Sequence, residues 1–179
     1  MKKQKIIIAT SGASGVNLGL KLSKLMPKNV EQHFIMTKNS KVVIKKELKD
    51  SKNITIHKNK DISASIASGS FGVDAMIVAP CSMNTLAKIA CGISDNLITR
   101  SASVMIKEQK KLILAPREMP YSAIALENMQ KLASLGVVIA PPVLAYYSEQ
   151  QTLDEMENFI IGKWFDLLNI ENNFYKRWE

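Results

Sequence analysis

The chain has 179 residues, 46% of them hydrophobic, which suffices for one well-buried core and is short for two. Its 24 Lys and Arg against 16 Asp and Glu leave a net charge of +8, suited to nucleic acid, an anionic membrane or phosphorylated small molecules. Much of the excess lies between Lys38 and Lys60 without the tight alternation of aromatic and basic residues found in single-strand binders, which argues against nucleic acid.

Short apolar runs alternate with helical periodicity, the pattern of βαβ units around a parallel sheet. The first predicted strand, Lys5 to Thr10, is too short an apolar run for a signal-peptide core or a membrane span. It leads into Thr10-Ser11-Gly12-Ala13-Ser14-Gly15 and a helix over Ser14 to Met26. A strand over Gln32 to Thr37 and a helix over Ser40 to Leu48 follow, then a short edge strand at Ile54 to His57. Residues 58–73 are polar and read as a connection that could hold a short helix. Beyond it come a strand over Ala75 to Ala79, helices over Asn84 to Ala90 and Asn96 to Gln109, and a strand over Leu112 to Ala115. A helix over Ser122 to Leu135, a strand over Val137 to Ala140 and a helix over Thr152 to Leu168 complete the pattern. The expected fold is therefore α/β: a three-layer, Rossmann-like or flavodoxin-like, mostly parallel sheet with helices on both faces, forming one domain over residues 1–179. Phe174, Tyr175 and Trp178 give residues 170–179 the look of a docking arm.

Several strand ends carry chemistry-bearing residues, where open α/β sheets place their ligands. The small-residue turn after the first strand aims backbone N–H groups and a helix N-terminus at that crevice, a setting that accepts a phosphate. Small residues also allow close packing of helix on sheet, and no Gly-Lys-Ser/Thr follows to make a P-loop. Nor does any of the four tyrosines precede a Lys by four residues, as the catalytic pair of short-chain dehydrogenases would require. Ala79-Pro80-Cys81-Ser82-Met83-Asn84-Thr85 places hydroxyls and an amide at another strand end, where Ser82 or Asn84 could equally cap a helix. Cys81 has no histidine nearby in sequence and reads as a packed thiol.

Pro116-Arg117-Glu118-Met119-Pro120 fixes an arginine and a carboxylate where a buried strand ends. As a site or as an ordinary turn with a surface ion pair, the segment reads equally well. Arg100 and Lys107, seven residues apart on one helix, lie on one face about 10 Å apart and could share an anion or a solvated face. In the last helix Leu153, Met156, Phe159, Ile160, Trp164 and Leu167 form an apolar stripe, and Lys163 falls inside it. Its stem either snorkels to the rim or carries the ammonium to an anion. His33, and His57 with no visible partner, are the only histidines, and Cys81 and Cys91 form no CxxC. A reduced, cytoplasmic protein without a metal site is the expectation.

In order along nearly the whole chain, these blocks resemble the UbiX-type flavin prenyltransferases of the flavin-dependent cysteine decarboxylase fold group. The carriers are Thr10 to Gly15, Ala79 to Ser82, Asp95-Asn96-Leu97-Ile98 with Arg100, Pro116 to Pro120, Glu127-Asn128-Met129 and Lys176-Arg177-Trp178. The resemblance implies an enzyme that transfers a dimethylallyl group from dimethylallyl monophosphate to reduced FMN. The product, prenylated FMN, would serve a UbiD-type decarboxylase. It implies FMN contacts from Gly12, Ala13, Ser14, Thr37, Ser82, Met83, Thr85 and Arg117, with Thr37 standing where the family often has Ser. Tyr147 and Lys163 would hold the prenyl phosphate, with Arg100, Lys107 and Trp178 close by. Lys163 replaces a common Arg, so the charge remains while the bidentate fork is lost. Ser14, Glu47 and Glu118 match the family's proton-handling positions. A dodecamer with sites at subunit contacts is implied as well, and neither a metal nor a membrane is.

Two rival functions remain open from sequence. A flavin-dependent decarboxylase of a cysteine-containing substrate would usually carry a catalytic His after the third strand region and a Pro-x-Met-Asn segment. A non-catalytic, flavodoxin-like FMN electron carrier would explain the turn and the sheet but not Lys163 or the Arg100 and Lys107 pair.

Overall fold

The computed structural model describes residues 3–12, 14–36 and 53–177. The helix expected over Ser40 to Leu48 lies outside the described residues. Among the described residues six strands make one all-parallel sheet in the order β3-β2-β1-β4-β5-β6. They are β1 (Lys5–Ala9), β2 (Glu31–Met36), β3 (Ile54–Lys58), β4 (Ala75–Cys81), β5 (Lys111–Pro116) and β6 (Val138–Ile139). β1, β4 and β5 are near-continuous apolar runs because helices cover both of their faces. The order reverses between β1 and β4, which opens a crevice above their carboxyl ends.

The two cores follow the strand alternation. Ile6, Ile8, Ile77, Ala79, Ile113 and Ala115 face α1 (Val16–Leu25) and the last helix, α5 (Leu153–Leu167). Ile7, Ala9, Met76, Val78, Leu112 and Leu114 face α2 (Met83–Ala90), α3 (Leu97–Lys107) and α4 (Ala123–Ser134). Thus Ile6 to Ala9 of β1 alternate between the two layers.

Helix starts are set by side chains that satisfy the free N–H groups. Ser82 caps α2, Ser122 caps α4, and Asn96 and Thr152 open α3 and α5 with capping boxes. α1 is the exception: it begins at Val16, two residues later than expected, behind Gly15 at φ 81° and with no side-chain cap. Gly19 brings this helix onto β4, since a Cβ there would stand 2.3 Å from the Ala79 carbonyl oxygen. The polar connection contains two single 3₁₀ turns, Ser65–Ala67 and Gly69–Phe71, and the edge strand forms as β3.

Candidate active site

The crevice at the strand-order reversal is tied together by backbone. Ser11 N–H donates to the Pro80 carbonyl at 2.9 Å, and the N–H of Ser82 donates to Ser11 Oγ at 2.9 Å, so the turns after β1 and β4 are held as one unit. Gly12, at φ 103°, brings its backbone against Ser82, where a Cβ would lie 3.6 Å from Ser82 Cβ. Ser82 is indeed a helix cap: its Oγ accepts from Thr85 N at 3.3 Å and donates to Thr85 Oγ1 at 3.0 Å. Capping and ligand contact are compatible, because a hydroxyl has two lone pairs.

The turn after β5 comes to the same place. Arg117 lies along Gly15, where an added Cβ would stand 3.3 Å from Arg117 Cδ and 3.6 Å from Pro80 Cγ. The two peptide bonds Ala79-Pro80 and Met119-Pro120 are cis. Among the described residues no ion pair joins Arg117 to Glu118, and both side chains are exposed. The surface-pair reading of this turn therefore fails. Glu118 lies close enough to Tyr121 that its charge, after burial, helps push that phenol up.

An anionic phosphate tail suits this corner. Among the described residues no side chain caps the α1 N-terminus, the glycines leave its approach clear, and Arg117 adds a full positive charge. Thr10 Oγ1, at the carboxyl end of β1, is the one buried side-chain oxygen without a partner among the described residues. Ser14 is exposed at the same turn, and Met83 and Thr85 are half-buried in the first turn of α2.

The other expected cations sit apart from this corner. Arg100 donates from Nε to the Ala67 carbonyl at 3.3 Å. Lys107 pairs with its neighbour Glu108 and lines a cavity of about 390 Å³ with Lys131, Ile106 and Leu135. Because α3 runs down from the level of Asn59, just past β3, toward the start of β5, Lys107 lies at the end of the sheet opposite Arg117. Within this chain, then, Arg100 and Lys107 keep separate partners.

The stripe expected on α5 differs at its first residue. Leu153 is 73% exposed, and the buried face of α5 is instead Phe159, Ile160, Ile161, Trp164 and Phe165. Lys163 stands at the rim, where it helps wall an apolar cleft of about 280 Å³ between α5 and residues 140–145. Its Nζ is 5.7 Å from the Tyr175 ring centroid. Tyr147 is half-exposed and meets Phe159 edge to face at 5.8 Å.

Cys81 is fully packed, and burial pushes its thiol up to about 12, so it is inert as read from sequence. Cys91 is exposed. His57 corrects the sequence reading: it has a partner. His33 Nδ1 lies 3.1 Å from His57 Nε2, and His33 Nε2 lies 3.0 Å from Glu31 Oε1. Burial lowers both imidazoles; for His33 Glu31 partly offsets this, and for His57 the neighbouring His33 adds to it. The pairing crosses β2 and β3, and no local pattern announces it.

The chain is similar to known proteins along nearly its whole length. The Flavoprotein family model matches residues 1–164. The flavin prenyltransferase UbiX of Helicobacter pylori strain J99 is 47% identical over 183 residues, covering 97% of this chain and 98% of the relative. The chain belongs to the UbiX-type flavin prenyltransferases. Among solved UbiX-type structures, a dodecameric FMN-dependent UbiX-like decarboxylase from Escherichia coli O157:H7 superposes with a TM-score of 0.90 at 39% identity, covering 98% of this chain and 100% of that one. AnUbiX (PadA1), solved in complex with FMN and dimethylallyl pyrophosphate, does so with a TM-score of 0.90 at 36% identity, covering 99% and 98%. Of the residues that the UbiX pattern points to, Ala13, Thr37, Glu47 and Trp178 lie outside the described residues. Gly15 and Tyr175 were not singled out as site residues by sequence; a glycine at positive φ beside Arg117 and a tail aromatic beside Lys163 are visible only in three dimensions.

Proposed function

We propose that this chain joins the dimethylallyl group of dimethylallyl monophosphate to reduced FMN, making the prenylated FMN used by a UbiD-type decarboxylase. The observation that carries this reading is the split of Arg117 from Glu118. Arg117 lies on the flavin-side turn at Gly15, and Glu118 stands free of it. In this reading Gly12, Ala13, Ser14, Thr37, Ser82, Met83, Thr85 and Arg117 hold FMN. Bound and reduced, FMN supplies the electron-rich ring atoms that accept the dimethylallyl carbon.

Tyr147 and Lys163 hold the donor phosphate, joined by Arg100, Lys107 and Trp178. As the carbon–oxygen bond breaks, negative charge grows on the phosphate, and fixed cations stabilise it. The apolar lining beside Lys163 keeps water from the allylic carbon. Glu118 takes up the proton shed as the new bonds close, with Ser14 and Glu47 relaying protons at the same centre. In this reading Arg and Lys supply the positive charge that meets the departing phosphate.

Lys107 can contribute only from another copy, given its place at the far end of the sheet, and a homo-oligomer such as a dodecamer with sites at subunit contacts would bring it there. We take residues 1–179 as one flavoprotein domain with 170–179 as its docking arm. Among the described residues no helix is long and apolar enough to cross a membrane, and we place the enzyme in the cytoplasm.

The test is anaerobic incubation of the protein with reduced FMN and dimethylallyl monophosphate, followed by mass analysis of the flavin. A gain of one dimethylallyl unit is expected. An unchanged flavin, with release of carbon dioxide from a cysteine-containing peptide, would replace the proposal with the decarboxylase reading.

A further inference from the structure

The last described residues fold back on α5 around one aromatic ring. Gly162 is the seat: a Cβ there would stand 2.6 Å from Tyr175 Cδ1 and 2.8 Å from Cε1, so the ring rests directly on the helix backbone. The Tyr175 hydroxyl donates to Asp166, which also accepts from Arg177 at 2.8 and 3.2 Å and from Asn172 Nδ2 at 2.8 Å. Asn172 donates to the Gly162 carbonyl as well, at 3.3 Å. The clamp is thus made entirely within residues 162–177.

What the clamped ring touches is the group assigned above to the donor. Lys163 Nζ lies 5.7 Å from its centroid, within the range of a cation–π contact. Phe159 meets the ring at 4.9 Å, and Tyr147 meets Phe159 at 5.8 Å. Lys163 has no hydrogen bond or ion pair among the described residues, so the ring face is its one recorded partner there. Such a partner restrains the ammonium while leaving its three N–H donors for a phosphate. A carboxylate would consume them, and Asp166, three residues along the same helix, is kept from doing so because Tyr175, Arg177 and Asn172 already occupy its oxygens.

We propose that Tyr175 is a positioning residue for the donor phosphate: clamped on Gly162 by Asp166, its ring holds Lys163 and, through Phe159, Tyr147 in the geometry that binds dimethylallyl monophosphate. This inference rests on the assignment of Lys163 and Tyr147 to that phosphate. Burial and the neighbouring Asp166 push the Tyr175 phenol up to about 12, which keeps it a neutral hydrogen-bond donor at neutral pH. Asp166, despite the opposing effect of burial, is held below the usual carboxylate range by Arg177, Tyr175 and Asn172.

Steady-state kinetics and FMN titration on four variants test it. Tyr175→Leu should lower kcat/KM for dimethylallyl monophosphate about five- to tenfold, the scale of one cation–π contact, and leave FMN affinity within about twofold. Tyr175→Phe, which keeps the ring but gives up the bond to Asp166, should fall between the parent and Tyr175→Leu. Gly162→Ala, which favours the helix but evicts the ring, should reproduce the Leu effect without unfolding the protein. Combining Tyr175→Leu with Lys163→Met should cost less than the product of the two single losses, since the part of the Tyr175 effect that runs through Lys163 is then already gone. Additive losses, or equal losses for FMN and donor, would overturn the inference. If Lys163→Met weakens the donor while Tyr175→Leu and Gly162→Ala do not, the inference fails alone; if Lys163→Met has no effect on the donor, the assignment of Lys163 fails first.

Discussion

The strand-end corner and the α5–tail corner are built by opposite means. Around Gly12, Ser82 and Arg117 the positions are set by backbone: strand register, hydrogen bonds from the N–H groups of Ser11 and Ser82, and glycines at positive φ, where a side chain is strained. Around Lys163 they are set by side chains converging on one ring, which rests on the backbone at Gly162. A backbone-built corner tolerates loss of a polar atom but not gain of a methyl group. A side-chain-built corner fails when one ring or one charge is removed, while the fold survives.

The largest effect should come from pressing on the backbone side of that contrast. Gly19→Ala sets a Cβ 2.3 Å from the Ala79 oxygen and 2.5 Å from Thr10 Cγ2, and should destabilise the protein by about 3 kcal/mol, read as a lower urea midpoint. An unchanged midpoint would mean that α1 and β4 can separate without cost. Next, in the reading proposed above, where Glu118 carries a proton and does not hold the flavin, Glu118→Gln should slow product formation by about a hundredfold while FMN still binds. Single-turnover assays would show it, and parental turnover would remove Glu118 from the reaction. Arg117→Met should weaken FMN about thirtyfold, the scale of one charged hydrogen bond, in a fluorescence titration at fixed salt. Equal weakening by Glu118→Gln would erase the distinction between the two side chains.

The smallest effect concerns neither corner and serves as a control on global stability. His33 and His57 are both lowered in the folded chain, so below their ordinary value of 6.5 the unfolded chain binds protons that the native one does not. Their contribution to stability is present above pH 6.5 and is lost as the pH falls below it. Melting temperature should therefore drop with acidification from pH 7 to 5, and His57→Gln should flatten the slope. An identical slope in that variant would assign the acid sensitivity to other groups.

Much of the sheet was legible because β1, β4 and β5 are apolar runs bounded by turns, and observed ends fall within about two residues of those read from sequence. Helix starts were equally visible where Ser82, Asn96, Ser122 or Thr152 caps them. The start of α1 was read two residues early because Ser14 looks like a cap, whereas Gly15 does the turning. Lys163 was legible as an intruder on an apolar face, yet Leu153 did not belong to that face, and the clamp that holds Lys163 was invisible.

By itself the sequence determined what is local: which segments extend or coil, where glycines permit a sharp turn, and which strand ends carry hydroxyl, guanidinium or carboxylate. Tertiary structure alone decided the partners: Arg117 with Gly15 rather than Glu118, His57 with His33, and Tyr175 between Asp166 and Lys163. The reason is physical. Local conformation follows from torsional sterics and hydrogen bonds within a few residues, whereas these contacts depend on sheet register and on close packing of chain segments that only folding brings together.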